Sequence, residues 1–289
     1  RSGVLRFEVR AAGLRPRFFI GEDWFWPIAL DATEARWIGE RLRDHGVHLH
    51  LAETVEALGG REGVETIHTD RGTYRCDLCV VAIGVAPATE WLVDPPGPAR
   101  PHADPGPPIE RDERGGILVD GGLRTNVEDV FAAGDCASVR WLDGSRRPEQ
   151  LWYTARDQGR VAGRALLGDA VHYERRRLYN SAKLMDIEYT TAGLVNMDVE
   201  DERSWFFEER GPVRSTTRIV TSGERVVGFN LLGRRWDHSV LLRWIEERRS
   251  LAWVLEHLNE ARFDTELVPP LRLPREPASA RLRPASAAP

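Results

Sequence analysis

The sequence contains little cysteine and no long apolar run. Only three of its 289 residues are cysteines, and a small odd number favours a reducing compartment, here the cytoplasm, over a disulfide-stabilised secreted fold. No apolar stretch approaches the ~18 residues that a membrane-spanning helix requires, so no membrane partner is expected. The eight histidines lack the spacing of a ligand motif such as H-E-x-x-H, and the sequence therefore predicts no metal site.

A surplus of positive charge is also absent. The formal net charge is −5, which argues against nucleic acid as a partner. Hydrophobic residues make up 42% of the chain and charged residues 29%, as in ordinary globular proteins. The length allows two domains of about 150 residues each.

Alternating strand and helix patterns fill the first part of the chain. Strands are predicted over residues 15–20, 47–55 and 77–84, and helices over residues 30–46 and 151–167. Asp31 and Glu34 have the spacing of a capping box at the start of the first helix. The apolar run 77–84, DLCVVAIG, is typical of a strand that is covered on both faces. After residue 168, further strands precede two helices with Asp237 and Ser250 at their caps.

The segment 125–136, TNVEDVFAAGDC, contains a short apolar strand that ends in Gly134 and Asp135. In open α/β sheets, ligands bind at the carboxyl ends of strands. Glycine there allows a ligand to approach the backbone, and aspartate can accept a hydrogen bond from a sugar-like hydroxyl. A plain strand-to-turn transition is the alternative, because Gly-Asp is common in turns.

This segment closely resembles the second flavin-binding motif of the FAD-dependent pyridine nucleotide-disulfide oxidoreductase family, whose members include ferredoxin, rubredoxin and nitrite reductase flavoproteins. The resemblance implies that Asp135 holds the ribityl chain of FAD and that Gly134 permits its close approach. The threonine, the apolar strand and the Ala-Gly-Asp triplet are all in register, which makes this match more specific than a glycine pattern alone.

Two further segments resemble the same family. Residues 79–92, CVVAIGVAPATEWL, are similar to the strand and turn that close the NAD(P)H domain, with Gly84 and Pro87 as the matching residues. Residues 149–168 resemble the helix that points its N-terminus at the flavin. In this resemblance Gln150, Leu151 and Trp152 lie nearest the ring, and the positive end of the helix stabilises negative charge on it.

The glycine fingerprints of the family are poorly matched. The one that opens the FAD domain is not found, which predicts that the N-terminal FAD-binding part is lacking. The one that opens the nicotinamide domain is matched only by Gly3 and Glu8. Ile20 and Gly21 stand where an acid for the adenosine ribose is expected, and Glu22 follows too late in the chain. NAD(P)H binding is therefore supported less strongly than FAD binding.

The resemblance implies an α/β fold, with Rossmann-like three-layer FAD/NAD(P)-binding units followed by a small α+β C-terminal domain. Five segments are predicted: an incomplete NAD(P)-binding-like domain over 1–93, a Pro/Gly-rich linker over 94–108, the second half of the FAD-binding domain over 109–168, an interface or dimerisation domain over 169–270 and a disordered tail over 271–289.

The cysteines allow a chemical role and a packing role. Cys76 and Cys79 are spaced as in redox and zinc motifs, but they enter the predicted strand 77–84, where such positions point to opposite faces. We therefore expect Cys79 in the core. Cys136 is either a reactive thiol near the flavin or, more simply, a small buried filler.

Other motifs also have two interpretations. Asp237 either caps a helix or transfers protons together with His238, as a His-Glu pair does in disulfide-reductase members. The aromatic run 24–26 is expected to pack rather than to line a ligand path. Lys183 and the charge run 174–177 are expected on solvated surface.

The sequence thus predicts a FAD-dependent oxidoreductase that passes electrons from NAD(P)H through flavin to an unidentified acceptor. A homodimer is possible through the C-terminal domain. The alternative is a non-catalytic remnant or interaction module that binds neither cofactor, which the lost glycines favour and the retained Ala-Gly-Asp triplet opposes.

Overall fold

The computed structural model describes residues 13–92, 107–141, 144–196, 201–210, 213–263, 266 and 268–273. Gly3 and Glu8, most of the predicted linker and most of the predicted tail lie outside these residues. The chain divides into two compact units. Unit 1 combines Arg1–Val81 with Arg177–Pro289, and unit 2 is Ala82–Arg176. The division into five segments stays a prediction.

The described residues form four α-helices and thirteen strands. The helices are α1 (Ala32–Asp44), α2 (Trp152–Leu166), α3 (His238–Glu246) and α4 (Leu251–His257). The strands are β1 (Arg17–Ile20), β2 (His48–Leu51), β3 (Val55–Gly59), β4 (Thr66–Thr69), β5 (Gly72–Arg75), β6 (Ile117–Leu118), β7 (Ala137–Arg140), β8 (Arg146–Pro148), β9 (Tyr179–Leu184), β10 (Ile187–Gly193), β11 (Glu202–Glu209), β12 (Ser215–Ser222) and β13 (Arg225–Leu232).

Unit 1 begins with a parallel β1–α1–β2 unit and continues with the antiparallel sheet β3–β4–β5. The predicted capping box of α1 is confirmed. The Asp31 carboxylate accepts hydrogen bonds from the backbone N–H groups of Thr33 and Glu34, both at 2.8 Å. The Glu34 carboxylate accepts in return from the Asp31 N–H at 2.9 Å. The two exchanged bonds satisfy N–H groups that the first helical turn leaves unpaired.

The C-terminal part of unit 1 is a five-stranded antiparallel sheet in the order β11-β12-β13-β10-β9. Helices α3 and α4 pack on this sheet through buried side chains such as Trp244 and Val254. The predicted caps are confirmed, because Asp237 accepts from the Ser239 N–H at 2.9 Å and Ser250 accepts from the Trp253 N–H at 3.3 Å. Packing of the aromatic run 24–26 against the α1 core is also confirmed.

A buried ion pair joins α1 to this sheet. Glu34 and Arg218 are both almost fully buried, and the Arg218 Nη2 lies 2.9 Å from the Glu34 Oε2. The remaining Arg218 donors bind the Asn196 Oδ1 at 2.7 Å and the Ala29 carbonyl at 2.9 Å. Asn230 donates to the Glu34 Oε2 at 3.0 Å. Burial raises the pKa of Glu34, and the neighbouring guanidinium opposes that shift.

Unit 2 is built from shorter elements. Strands β6 and β7 pair in parallel, and β7 and β8 pair antiparallel. Its core includes Leu123, Ala137 and Val139, together with Ala162 of α2. Several turns are closed by side chains; Asp120, for example, accepts from the N–H groups of Gly122 and Arg124, both at 2.8 Å.

Two predicted strands are not found. The run 77–84 forms no strand, and its side chains are exposed, reaching 93% for Ile83. A strand needs a neighbour for its backbone N–H and C=O groups, and no described strand pairs with this run. Residues 130–133 contribute only an isolated antiparallel bridge between Arg124 and Phe131, in which the Thr125 N–H donates to the Val130 carbonyl at 2.9 Å and the Ala132 N–H donates to the Leu123 carbonyl at 3.1 Å.

The charge run 174–177 is only partly a solvated surface. Arg175 is buried, and its guanidinium binds the buried Glu149 carboxylate through two hydrogen bonds of 2.7 and 3.0 Å. The guanidinium also lies 3.8 Å from the centroid of the Trp141 ring. Arg175 can be buried because its planar guanidinium binds a carboxylate along one edge and stacks on an aromatic ring with its face.

Candidate functional site

The Gly134–Asp135 pair lies in a tight turn that leads into β7 in unit 2. The Ala137 N–H donates to the Gly134 carbonyl at 3.0 Å. Gly134 has φ +83°, a left-handed conformation that residues with a Cβ rarely adopt. The Asp135 side chain is exposed and has no hydrogen-bond or ion-pair partner among the described residues. An exposed carboxylate without such a partner is suited to accept hydrogen bonds from a ligand.

The turn is held against helix α2 by Gln158. The Oε1 of this fully buried side chain accepts the Gly134 N–H at 2.7 Å. A Cβ placed on Gly134 would lie 3.5 Å from the Cβ of Ala155, so the turn also packs closely on the helix. Burial raises the pKa of Tyr173, and the adjacent Gln158 amide opposes that shift. The structure thus brings the predicted motif and the predicted helix together.

Gln158 was not identified from the sequence. The signal available was its position on the small-residue face of α2, which also carries Ala155, Ala162 and Ala165. An amide among small buried residues must find hydrogen-bond partners, because burying it without them costs about 1–3 kcal/mol. Such a residue indicates a polar segment, here the Gly134 turn, packed on the helix.

The N-terminus of α2 has no side-chain cap. Leu151 occupies the cap position, and its apolar side chain cannot accept a hydrogen bond from the backbone N–H groups of the first turn. Gln150 is exposed, and the Trp152 side chain is 58% exposed. The first N–H groups of a helix carry partial positive charge and bind anionic groups when no side chain caps them. This end of α2 therefore has the electrostatics that the family resemblance implies, and Gln150, Leu151 and Trp152 as ring neighbours remain predictions.

The Glu149–Arg175 pair supports the start of α2. Glu149 directly precedes Gln150, and its carboxylate is fixed by the bidentate guanidinium. The Leu151 N–H also donates to the Glu149 carbonyl at 3.0 Å. The pair therefore holds the residues that lead into the uncapped helix.

Gly84 and Pro87 lie in a segment without regular structure. Gly84 has φ +124°, and a Cβ there would meet no other atom within 4 Å, so backbone conformation alone favours glycine. Pro87 is buried, and its carbonyl accepts the Thr89 N–H at 3.0 Å. Thr89 in turn donates to the Gly115 carbonyl at 2.6 Å. Among the described residues, no hydrogen bond joins this segment to the Gly134 turn.

The cysteines do not form a chemical centre. Cys76 and Cys79 are free and partly exposed, so the prediction of Cys79 as a core residue is wrong, because the strand that was to bury it does not form. Burial raises the pKa of the Cys76 thiol, which lowers its reactivity. Cys136 is half-buried and donates weakly to the Ala133 carbonyl at 3.5 Å.

The remaining candidates have structural partners. The His238 ring stacks on Tyr179 with a centroid distance of 4.3 Å. Lys183 lies 3.7 Å from Glu188 at the surface. Within the described ranges, no three His, Cys, Asp or Glu side chains gather as a possible metal site. No helix of the described part has both the length and the apolar character needed to cross a membrane.

Comparisons with known proteins bear first on the fold and then on the family that the chain resembles. Solved structures of similar fold include a FAD-dependent pyridine nucleotide-disulphide oxidoreductase from Desulfovibrio vulgaris, with a TM-score of 0.72 and 23% identity over 89% of this chain and 63% of that one. This likeness confirms the predicted α/β fold class with Rossmann-like units. Residues 20–159 match the pyridine nucleotide-disulphide oxidoreductase family. This match covers 140 of the 289 residues and confirms the resemblance that the sequence motifs indicate.

The similar proteins named as enzymes are considerably longer than this chain. The CoA-dependent NAD(P)H sulfur oxidoreductase of Pyrococcus abyssi is 31% identical over 196 residues, which are 66% of this chain and 40% of that protein. The water-forming NADH oxidase from Lactobacillus brevis, solved with NADH, has a TM-score of 0.70 and 23% identity over 92% of this chain and 58% of its own. The chain thus spans less than half of the curated relative.

Proposed function

We propose that the protein is a FAD-dependent oxidoreductase that passes electrons from NAD(P)H through flavin to an acceptor. The observation that carries the proposal is the exposed, unpartnered carboxylate of Asp135, fixed by its turn beside α2. The match of residues 20–159 to the family model and the NAD(P)H-dependent relatives support the reaction class. The acceptor is left open, as is the choice between NADH and NADPH.

The residues of unit 2 fit FAD at two points. Asp135 would accept hydrogen bonds from the ribityl hydroxyls, and the left-handed backbone at Gly134 would allow that chain to approach. The uncapped start of α2, near Gln150, Leu151 and Trp152, would stabilise negative charge on the ring. FAD supplies the hydride chemistry when it is bound, and the protein supplies its position and polarity.

Fewer described residues support NAD(P)H binding than support FAD binding. Gly84 has a backbone conformation that favours glycine, and Pro87, three residues further along the chain, is buried. Gly3 and Glu8 lie outside the described residues. We therefore assign Gly84 and Pro87 to the nicotinamide side of the site on the family resemblance. We also propose a cytoplasmic location and a homodimer, the latter through the C-terminal sheet.

The test is FAD binding by the chain and by a version extended upstream of Arg1. We expect a yellow protein whose flavin affinity falls at least tenfold, which is about 1.4 kcal/mol, in the variant Asp135→Ala. Glu128→Ala is the matched control, because Glu128 is an exposed acid in the same segment. Equal FAD affinity in Asp135→Ala and Glu128→Ala would show that Asp135 does not bind the flavin.

The same titration separates the enzyme from a non-catalytic remnant. If the chain and its extended version both remain colourless at saturating FAD while circular dichroism shows that they are folded, the hypothesis of a non-catalytic remnant replaces that of a FAD-dependent enzyme. If FAD binds, reduction of its visible band by NADH or NADPH under anaerobic conditions tests the nicotinamide step separately from flavin binding.

A further inference from the structure

Cys76 and Cys79 follow β5 directly, where the chain leaves the antiparallel sheet β3–β4–β5 of unit 1. Both cysteines are free and partly exposed, so the pair is reduced in the structure. The Cys76 N–H donates to the Glu65 carbonyl at 2.9 Å, which continues the pairing of β4 with β5 by one step. The first cysteine of the pair is therefore held by the sheet.

The second cysteine lies in a segment whose backbone is not tied to its surroundings. The chain bends at Asp77, and residues 77–86 make no backbone hydrogen bond with another described residue. A segment without such bonds changes its conformation at little cost, because no hydrogen bond has to be broken. Cys79 can therefore approach Cys76 without any disturbance of the sheet.

Burial places the two cysteines on one side of this segment. Asp77, Leu78 and Val80 are exposed, whereas Cys76 and Cys79 are half-buried. Positions three apart share a side in a helical turn, but they point to opposite faces in a strand. Burial raises the pKa of the Cys76 thiol, and the charge of Cys79 adds to that shift, as it does only when the two groups are near each other.

A disulfide and a strand exclude each other at this position. Disulfides join cysteines whose Cα atoms lie about 4.4–6.8 Å apart. In a strand, three steps of about 3.3 Å separate such cysteines by roughly 10 Å, and their side chains point in opposite directions. The run 77–84 has the apolar composition of a strand but forms none. It cannot become one while Cys76 is bonded to Cys79.

We propose that Cys76 and Cys79 form a reversible intramolecular disulfide, with a low-molecular-weight disulfide as the oxidant, and that this bond fixes the segment after β5 in its bent form. The closed loop contains few residues, so the bond constrains the unfolded chain little and stays easy to reduce. Disulfides in a reducing compartment are usually transient ones of this kind.

The exchange takes two steps. A thiolate is the attacking species, and the raised pKa of Cys76 therefore assigns the first attack to Cys79. The Cys79 thiolate attacks one sulfur of the reagent RS–SR; the S–S bond of the reagent breaks, RS⁻ leaves, and a mixed disulfide forms on Cys79. Cys76 then loses its proton to solvent and attacks the Cys79 sulfur, which releases the second RS⁻. Two electrons and two protons pass from the protein to the reagent, which becomes two RSH.

The pair does not depend on the proposed flavin site. Cys76 and Cys79 belong to unit 1, whereas Asp135 and α2 belong to unit 2. A failure of FAD binding therefore leaves the disulfide proposal intact, and a failure of disulfide formation leaves the flavin proposal intact.

The experiment is incubation of the 289-residue chain with oxidised and reduced glutathione at fixed ratios, followed by mass spectrometry of the peptide that contains both cysteines. We expect this peptide to lose two hydrogen atoms on oxidation and to regain them with reduced glutathione. Cys136→Ser is the matched control. Because Cys136 is also free and half-buried but lies in unit 2, its removal should leave the reaction unchanged.

Single variants separate the two steps. Cys76→Ser should retain one glutathione on Cys79, since no second thiol is left to displace it. Cys79→Ser should react about threefold or more slowly, because the remaining thiol is the one with the raised pKa. Circular dichroism verifies that both variants are folded.

Three results would overturn the proposal. The first is a peptide that keeps both thiols at a high ratio of oxidised to reduced glutathione. The second is a glutathione that stays on Cys79 although Cys76 is present. The third is a disulfide that joins two chains, which a non-reducing gel detects. Hydrogen exchange tests the bent form, and protection of the amides of residues 79–83 in the oxidised chain would contradict the exclusion of the strand.

Discussion

The two units of the protein differ in the size of their apolar clusters and in the length of their strands. Unit 1 has two apolar clusters and strands of up to eight residues, and it includes a fully buried ion pair between Glu34 and Arg218. Unit 2 has one smaller apolar cluster, and its strands have two to four residues. Much of unit 2 is held by side chains that hydrogen-bond to the backbone of turns, as Asp120 and Gln158 do.

This difference suggests different roles for the two units, with unit 1 the more sensitive to core substitutions and unit 2 carrying the predicted flavin-binding turn. Long ladders and a paired buried charge make unit 1 intolerant of polar changes in its core. The predicted flavin-binding carboxylate is instead on a turn of unit 2, in line with the general tendency of binding residues to lie on loops held by a scaffold. Substitutions can sharpen this comparison, and the largest effect is expected in unit 1.

The variant Glu34→Ala should lower the free energy of unfolding by about 3–5 kcal/mol, because it leaves the buried Arg218 charge uncompensated. Urea denaturation followed by tryptophan fluorescence measures the loss. Glu40→Ala is the control on the same helix, since Glu40 pairs with Arg214 at 3.3 Å on exposed surface and should matter by less than about 1 kcal/mol.

The double variant Glu34→Leu/Arg218→Met refines this prediction. Removing both charges leaves neither unpaired, so the loss should be smaller than for Glu34→Ala. If Glu34→Ala lowers the free energy of unfolding by no more than Glu40→Ala does, the buried ion pair does not account for the stability of unit 1.

The next largest effect is expected at the helix–turn contact of unit 2. Gln158→Leu keeps most of the side-chain volume but leaves the buried Gly134 N–H without its acceptor, which should cost about 1–3 kcal/mol. Flavin affinity should fall as well, because the turn that carries Asp135 loses its anchor. Gln150→Leu is the control at an exposed position, with a change below about 0.5 kcal/mol. Equal stability of the two variants would contradict the anchoring role.

The smallest effect concerns a surface pair of unit 1. Hydrogen bonds of 2.8 and 3.0 Å from the Arg41 Nε lower the pKa of Asp186. A lowered carboxylate pKa stabilises the fold above the ordinary Asp pKa of ~3.9, and this contribution disappears as the pH falls through the lowered value. Because the pair is exposed, the contribution is below about 1 kcal/mol. The difference in unfolding free energy between the protein and Asp186→Asn should therefore stay constant from pH 7 to about pH 5 and narrow as the pH falls below ~3.9; a difference that does not narrow would refute the assignment.

Local signals in the sequence predicted local structure well. The caps at Asp31, Asp237 and Ser250 depend on residues within one helical turn, and all three are confirmed. The strand predicted over 77–84 failed because an apolar run becomes a strand only when neighbouring strands pair with it. The sequence pattern identifies the apolar run, but it does not show whether neighbouring strands pair with it.

The sequence by itself determined the resemblance to the family, the helix ends and the Gly134–Asp135 pair, since each depends on neighbouring residues or on an ordered motif. The tertiary structure alone decided the partners of Glu34 and Gln158 and the burial of Arg175. Glu34 meets Arg218 across 184 positions and Gln158 meets Gly134 across 24. Such pairings depend on which surfaces come together when the chain folds, and residue spacing along the chain carries no record of that.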